Sequence, residues 1–169
     1  MDYEVAISHE SGRHLAVVRF DARPQEMAEQ HGRAFGAVAA YLAHAGVTVS
    51  GPAMSRYEMG ENGVFHVASG FVVPGPFEGE GDVVHLQLPE TDVATTTHLG
   101  PYDSLGEAYD ALRRQARTLG REVDEDGPMW EEYWTGPETP PEQTRTVVSW
   151  PVKPLQPLEP LDQPVGLEG

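Results

Sequence analysis

The chain has no cysteine, one lysine and no apolar run long enough to cross a membrane. Without cysteine, disulfide bridges, thiolate metal ligands and thiol nucleophiles are all excluded. Ten arginines and Lys153 stand against 27 acidic residues, for a net charge of −16 over 169 residues. Such a surface repels phosphate backbones and anionic headgroups, so neither nucleic acid nor membrane is an expected partner. It favours cations and solubility instead. The small-apolar stretch from Ala34 to Ala43 falls short of the roughly 20 residues a span requires, and the polar, acidic start from Met1 to Glu10 carries no secretory signal. A cytoplasmic, globular protein is the expectation, in keeping with an apolar fraction of 39%.

What the chain does have is β-type patterning in eight places: Tyr3–Ser8, Leu15–Phe20, Ala53–Met59, Val64–Val73, Asp82–Leu88, Val93–Leu99, Met129–Thr135 and Arg145–Trp150. Gly, Pro, Asn and Asp punctuate most of the gaps. Two segments step by three or four residues, as helices do. Met27, His31, Phe35, Val38, Leu42 and Ala45 form one stripe; Leu105, Ala108, Tyr109, Leu112, Ala116 and Leu119 form the other. Pro24 with Glu26 and Glu29 fits the start of the first helix, and Ser104–Glu107 ("SLGE") predicts a capping box for the second. Gly46 and Gly120 predict their ends.

Each half therefore reads strand, strand, helix, strand, strand. Aligned on the two terminating glycines, Phe35 matches Tyr109 and Val38 matches Leu112. Beyond them, "PAMSRY" (Pro52 to Tyr57) and "PMWEEY" (Pro128 to Tyr133) share Pro-x-x-x-x-Tyr. A duplicated module is the expectation: residues 1–74 as the first copy, 75–81 as linker, 82–152 as the second. Residues 153–169 make a proline-rich tail that excludes helix and central strand. Two such modules meeting across a pseudo-two-fold axis leave a groove where ligand pockets tend to form.

The stretch "GPMWEEYWTGPE", Gly127 to Glu138, places acids among aromatics in a single strand. Alternation puts Met129, Glu131, Tyr133 and Thr135 on one face and Trp130, Glu132 and Trp134 on the other. Under the repeat, Tyr57 is the counterpart of Tyr133, and Ser55 that of Glu131. Two readings stand. Either Glu131 is a partly buried acid facing a cation among aromatic rings, or both acids point to solvent from an edge strand. Seven histidines show no metal-binding spacing, so no metal is expected. His98 is better suited to holding the turn it opens than to chemistry. "DEDG" (Asp124 to Gly127) lacks the glycine a calcium loop requires, because Met129 stands there.

With "GPAMSRYEM" (Gly51 to Met59), "HLGPYDSLGEAYDAL" (His98 to Leu112) and "WEEYWTGPETPPEQTRTVVSWPV" (Trp130 to Val152) in order, the chain resembles the GyrI-like small-molecule-binding domains. These also form the effector-binding part of some AraC-type and MerR-type multidrug regulators. The resemblance implies an α+β fold: a duplicated strand–helix–strand–strand module, antiparallel sheets of about eight strands, two long helices and a ligand groove between the halves. It implies a hydrophobic, often cationic small molecule as partner, met by Glu131 and framed by Tyr57, Tyr102 and Tyr133. Trp130 matches the motif too, although alternation turns it to the other face. No cofactor is implied. The chain begins almost directly with strand sequence, so a stand-alone member is expected rather than a DNA-binding regulator. Three roles follow from the resemblance: drug or toxin sensing and sequestration, hydrolysis of strained cyclopropane-bearing compounds with Glu131 as base and Tyr133 assisting, or a protein partner such as gyrase.

Overall fold

The computed structural model describes residues 2–136 and 138–155. Its strands are β1 (Ala6–Glu10), β2 (Arg13–Ala22), β3 (Ala53–Met59), β4 (Phe65–Val73), β5 (Val83–Leu88), β6 (Thr91–Leu99), β7 (Arg121–Val123), β8 (Met129–Tyr133) and β9 (Arg145–Pro154). The helices are α1 (Met27–Ala45) and α2 (Leu105–Thr118). All strand pairings are antiparallel, in the order β1-β6-β9-β8-β3-β4-β2-β5, with β7 attached to β9. The fold is α+β with two helices, as expected. Strand β7 had no sequence signature, because three residues are too few for a periodicity to register.

Read outward from its centre, the strand order is a palindrome. β3 and β8 meet in the middle, and β4, β2 and β5 on one side mirror β9, β6 and β1 on the other. The central register pairs Ser55 with Glu131, Tyr57 with Met129 and Ala53 with Tyr133. That is the pairing a two-fold axis through Ser55 and Glu131 produces. The outermost strands are exchanged: β1, from the first half of the sequence, pairs with β6, while β5 pairs with β2.

This exchange bends the sheet. Residues 11–12 join β1 to β2, and residues 89–90 join β5 to β6. A link of that length reaches only about 11 Å, whereas six strand spacings across a flat sheet measure about 29 Å. The sheet therefore curls until the two corners touch. A Cβ added to Gly12 (φ +94) would lie 3.1 Å from the carbonyl oxygen of Leu88, which identifies the point of contact. The curl encloses Leu15, Val17, Met54, Ala68, Leu88, Val93 and Trp130 on the face away from the helices.

On the other face, α1 buries Ala34, Val38 and Leu42, and α2 buries Leu105, Ala108, Ala111, Leu112 and Ala116. A 3-10 turn at Pro24–Glu26 leads into α1, where the Arg23 N–H donates to the Glu26 carboxylate at 2.8 Å. Gly46 ends α1 in the left-handed conformation (φ 71). The expected capping box of α2 does not form. A 3-10 turn at Tyr102–Ser104 precedes that helix and turns the Ser104 hydroxyl back to donate to the Pro101 carbonyl (3.0 Å). Leu119 is the C-cap of α2, and Gly120 (φ 82) follows it.

The start of the proline-rich segment forms the end of β9, which runs on through Pro151 to Pro154 with β7 as its partner from Val152 onward. β8 pairs with β9 only as far as Ser149, so on that side Pro151 needs no N–H, and its carbonyl accepts from the Asp124 N–H at 2.9 Å. The rest of the tail lies outside the described residues.

Gly70 shows how tightly the sheet is drawn. A Cβ there would stand 1.7 Å from the Ala16 carbonyl oxygen, so only backbone displacement accommodates it. Gly70→Ala is expected to lower stability by on the order of 3 kcal/mol, roughly a 6–12 °C fall in melting temperature by calorimetry. A shift under about 2 °C would contradict this packing.

Candidate functional site

Three rows of side chains run across the six central strands on the helix-bearing face. The middle row reads Val18, Ser69, Ser55, Glu131, Val148 and Thr96. One flanking row reads Phe20, Val67, Tyr57, Met129, Trp150 and Ala94; the other reads Ala16, Phe71, Ala53, Tyr133, Thr146 and His98. The pseudo-axis exchanges the flanking rows, so Tyr57 stands diagonally from Glu131 on β3 while Tyr133 lies two residues along β8 on the other side.

Glu131 is 7% exposed. Its Oε1 accepts from the hydroxyls of Tyr133 at 2.6 Å and Tyr57 at 3.2 Å, and its Oε2 accepts from Tyr109 at 2.6 Å. Convergence of O–H donors on both oxygens is the environment of an ionised carboxylate, which can only accept. Burial pushes its pKa upward, and the hydrogen bonds from Tyr109, Tyr133 and Tyr57 oppose that push. The same burial, reinforced by the nearby negative charge of Glu131, holds the phenols of Tyr57, Tyr109 and Tyr133 well above the ordinary tyrosine range. They remain donors throughout the physiological range.

The network extends to α1. Tyr57 Oη lies 2.9 Å from Tyr133 Oη and 2.9 Å from His31 Nε2. Each phenol has one proton, so the Tyr57 hydroxyl links Glu131, Tyr133 and His31 as donor to one of them and acceptor from others. Burial lowers the His31 pKa to about 4, leaving a neutral imidazole at neutral pH. Around this chain the rings of Phe20, His31, Phe35, Tyr57, Tyr102 and Tyr133 pack with centroids about 6 Å apart. They come from both modules and pack together on the helix-bearing face of the sheet. Cavities of about 110 and 140 Å³ lie elsewhere, beside Arg56 and beside Arg113.

Glu132, the neighbouring acid, points the other way. It too is 7% exposed, but it pairs with Arg13 at 2.7 Å on the enclosed face and accepts from Trp134 Nε1 at 3.1 Å. Of the aromatic residues singled out from sequence, Tyr57 and Tyr133 contact Glu131 directly. Tyr102 stands at the rim, 52% exposed, with its ring against Tyr133. Trp130 does not join them. It is buried among Leu15, Met54 and Val93 on the opposite face, because strand alternation separates it from Glu131.

Sequence reasoning missed Tyr109 and His31 as site residues. Both belong to the apolar helical stripes, and a polar tip on such a stripe was the available signal. His98 is fully buried and holds its turn: Nε2 donates to the Pro101 carbonyl (3.0 Å), leaving Nδ1 to accept from the Tyr3 hydroxyl (2.8 Å).

Residues 3–153 match the GyrI-like small molecule binding domain. The chain belongs to the GyrI-like family. Solved structures share its fold. The EcmrR C-terminal domain superposes with a TM-score of 0.76 at 20% identity, over 92% of this chain and all 100% of that one. A hydrolase from Listeria innocua gives a TM-score of 0.67 at 13% identity, over 89% and 92% of the two chains. SAV2435 bound to tetraphenylphosphonium gives 0.59 at 13%, over 90% and 94%. No curated protein sequence matches significantly. In this GyrI-like domain, no helix among the described residues is long and apolar enough to cross a membrane.

The low pKa of His31 has a stability consequence. Below about 6.5 the unfolded chain takes up a proton that the folded imidazole refuses until about pH 4. Stability from this group is complete above pH 6.5 and is lost as the pH falls toward 4. Wild type is expected to lose on the order of 2–3 kcal/mol more than His31→Gln between pH 7 and pH 4 in urea titrations. Parallel losses in the two proteins would contradict a neutral, buried His31.

Proposed function

We propose that this GyrI-like domain takes lipophilic aromatic cations into the groove between its modules, with Glu131 as their counter-charge. The observation that carries the reading is an acid only 7% exposed, surrounded by aromatic rings from both modules. A buried carboxylate is costly unless paired. In the empty groove phenols hold it, and a cation replaces hydrogen-bond donors with full charge. Ring faces add about 0.5–2 kcal/mol per good contact. The rings of Tyr102 and Tyr133 block the way in, so binding proceeds with their displacement. The net charge of −16 draws cations toward the protein and weighs against a nucleic-acid partner. That SAV2435, a protein of the same fold, is seen with tetraphenylphosphonium supports the choice of ligand class.

Glu131→Gln is expected to weaken tetraphenylphosphonium binding at least about tenfold in calorimetry, while changing the affinity for neutral triphenylmethane by less than about twofold. Equal losses for both compounds would rule out a charge role.

A second reading, hydrolysis of strained cyclopropane-bearing compounds, is favoured by one observation. Two phenols lie 2.6 Å from a carboxylate whose proton affinity is raised by burial. A base of that kind beside hydrogen-bond donors is what activating water and stabilising a developing oxyanion require. On this reading, product formation from an activated cyclopropane falls by at least about a hundredfold in Glu131→Gln. Identical product traces for the two proteins would dismiss it.

A further inference from the structure

We infer that the Thr146 hydroxyl is a second polar contact of the same groove, receiving a hydrogen-bond acceptor carried by the bound cation. The inference rests on the cation-binding reading above. Thr146 is fully buried, yet its Oγ1 has no hydrogen-bond partner; among the described residues the one other such buried side-chain atom is Trp130 Nε1, on the enclosed face. A buried hydroxyl left unpaired is destabilising by itself, so its retention calls for a reason.

The neighbours of Thr146 explain why the protein does not satisfy it. In β9 it stands directly opposite Tyr133 on one side and His98 on the other. The Tyr133 hydroxyl donates to Glu131. The two ring nitrogens of His98 are taken by Tyr3 and Pro101. Tyr102 comes near enough for the Thr146 hydroxyl to counter part of the upward push on its phenol, but the pair falls outside hydrogen-bond geometry.

Packing does not account for the residue. The pseudo-axis places Val67 at the equivalent position in the first module, where an isosteric apolar side chain fills the same space. Polarity at this point is present in one module only, and at the Glu131 position charge is likewise one-sided, since its equivalent is Ser55. Thr146 lies diagonally from Glu131 across the β8–β9 pair, a separation of about 7–8 Å. A tetrahedral aryl cation resting against Glu131 spans that distance with one arm. A carbonyl or ether oxygen at the end of the arm then meets Thr146 beneath the exposed ring of Tyr102.

The test uses a matched pair of probes, tetraphenylphosphonium and (4-acetylphenyl)triphenylphosphonium, titrated by calorimetry. Wild type is expected to bind the acetyl compound about five- to tenfold more tightly than the parent. Thr146→Val removes that preference and leaves parent affinity within about twofold, while Thr146→Ser retains the preference. The valine variant without ligand is also expected to melt higher than wild type, since its unpaired hydroxyl is gone. An unchanged preference in Thr146→Val, or a lower melting temperature without ligand, would overturn the assignment while leaving the cation reading intact. Failure of wild type to bind either phosphonium would overturn both.

Discussion

A carboxylate held out of water by three phenols is the constraint around which this molecule is organised. Removing Glu131 from solvent without donors would cost more than most single interactions supply. The donors come from three elements: Tyr57 on β3, Tyr133 on β8 and Tyr109 on α2. Their convergence ties the two modules to each other and α2 to the sheet. Through Tyr57 the same network reaches α1, where it fixes a neutral imidazole at His31. The centre of the molecule is thus a hydrogen-bonded polar cluster inside an aromatic shell.

Scaffold symmetry makes the chemistry easier to see. The palindromic strand order supplies paired positions, and at several of them the second module carries the more polar or charged member. Ser55 faces Glu131 across the axis; Phe35 corresponds to Tyr109, Phe20 to His98 and Val67 to Thr146. The repeated pattern gives a fold that closes on itself, and the difference between the copies places a carboxylate on one side of the axis only. Hydrophobic burial explains the first property, since each helix covers its own half of the sheet. It does not explain the second, because the first module shows that apolar or smaller residues occupy the equivalent positions without loss of the fold.

Glu131 and Glu132 show how finely position decides role. They are adjacent in the chain and equally buried, yet one lies among phenols and the other against Arg13 on the enclosed face. The curl of the sheet creates this difference. It turns what would be an open face into an interior holding Trp130 and Met54, and an acid there needs a guanidinium rather than a ligand.

Periodicity alone determined both helices, eight of the nine strands and the repeat, because each is a local pattern of apolar spacing and turn residues. Alternation and the repeat register placed Tyr57 opposite Tyr133 by counting but left Glu131 either inward or in solvent; the resemblance to the GyrI-like family, not the count, put Glu131 with the tyrosines. What counting did not reach were contacts between segments far apart in sequence. Tyr109 and His31 looked like core stripe residues until the helices docked. The strand exchange that curls the sheet, the fate of Glu132 and the unpaired hydroxyl of Thr146 depend on which strands become neighbours. Strand neighbours are chosen by the burial of a whole sheet rather than by any one segment, so only the tertiary structure decided them.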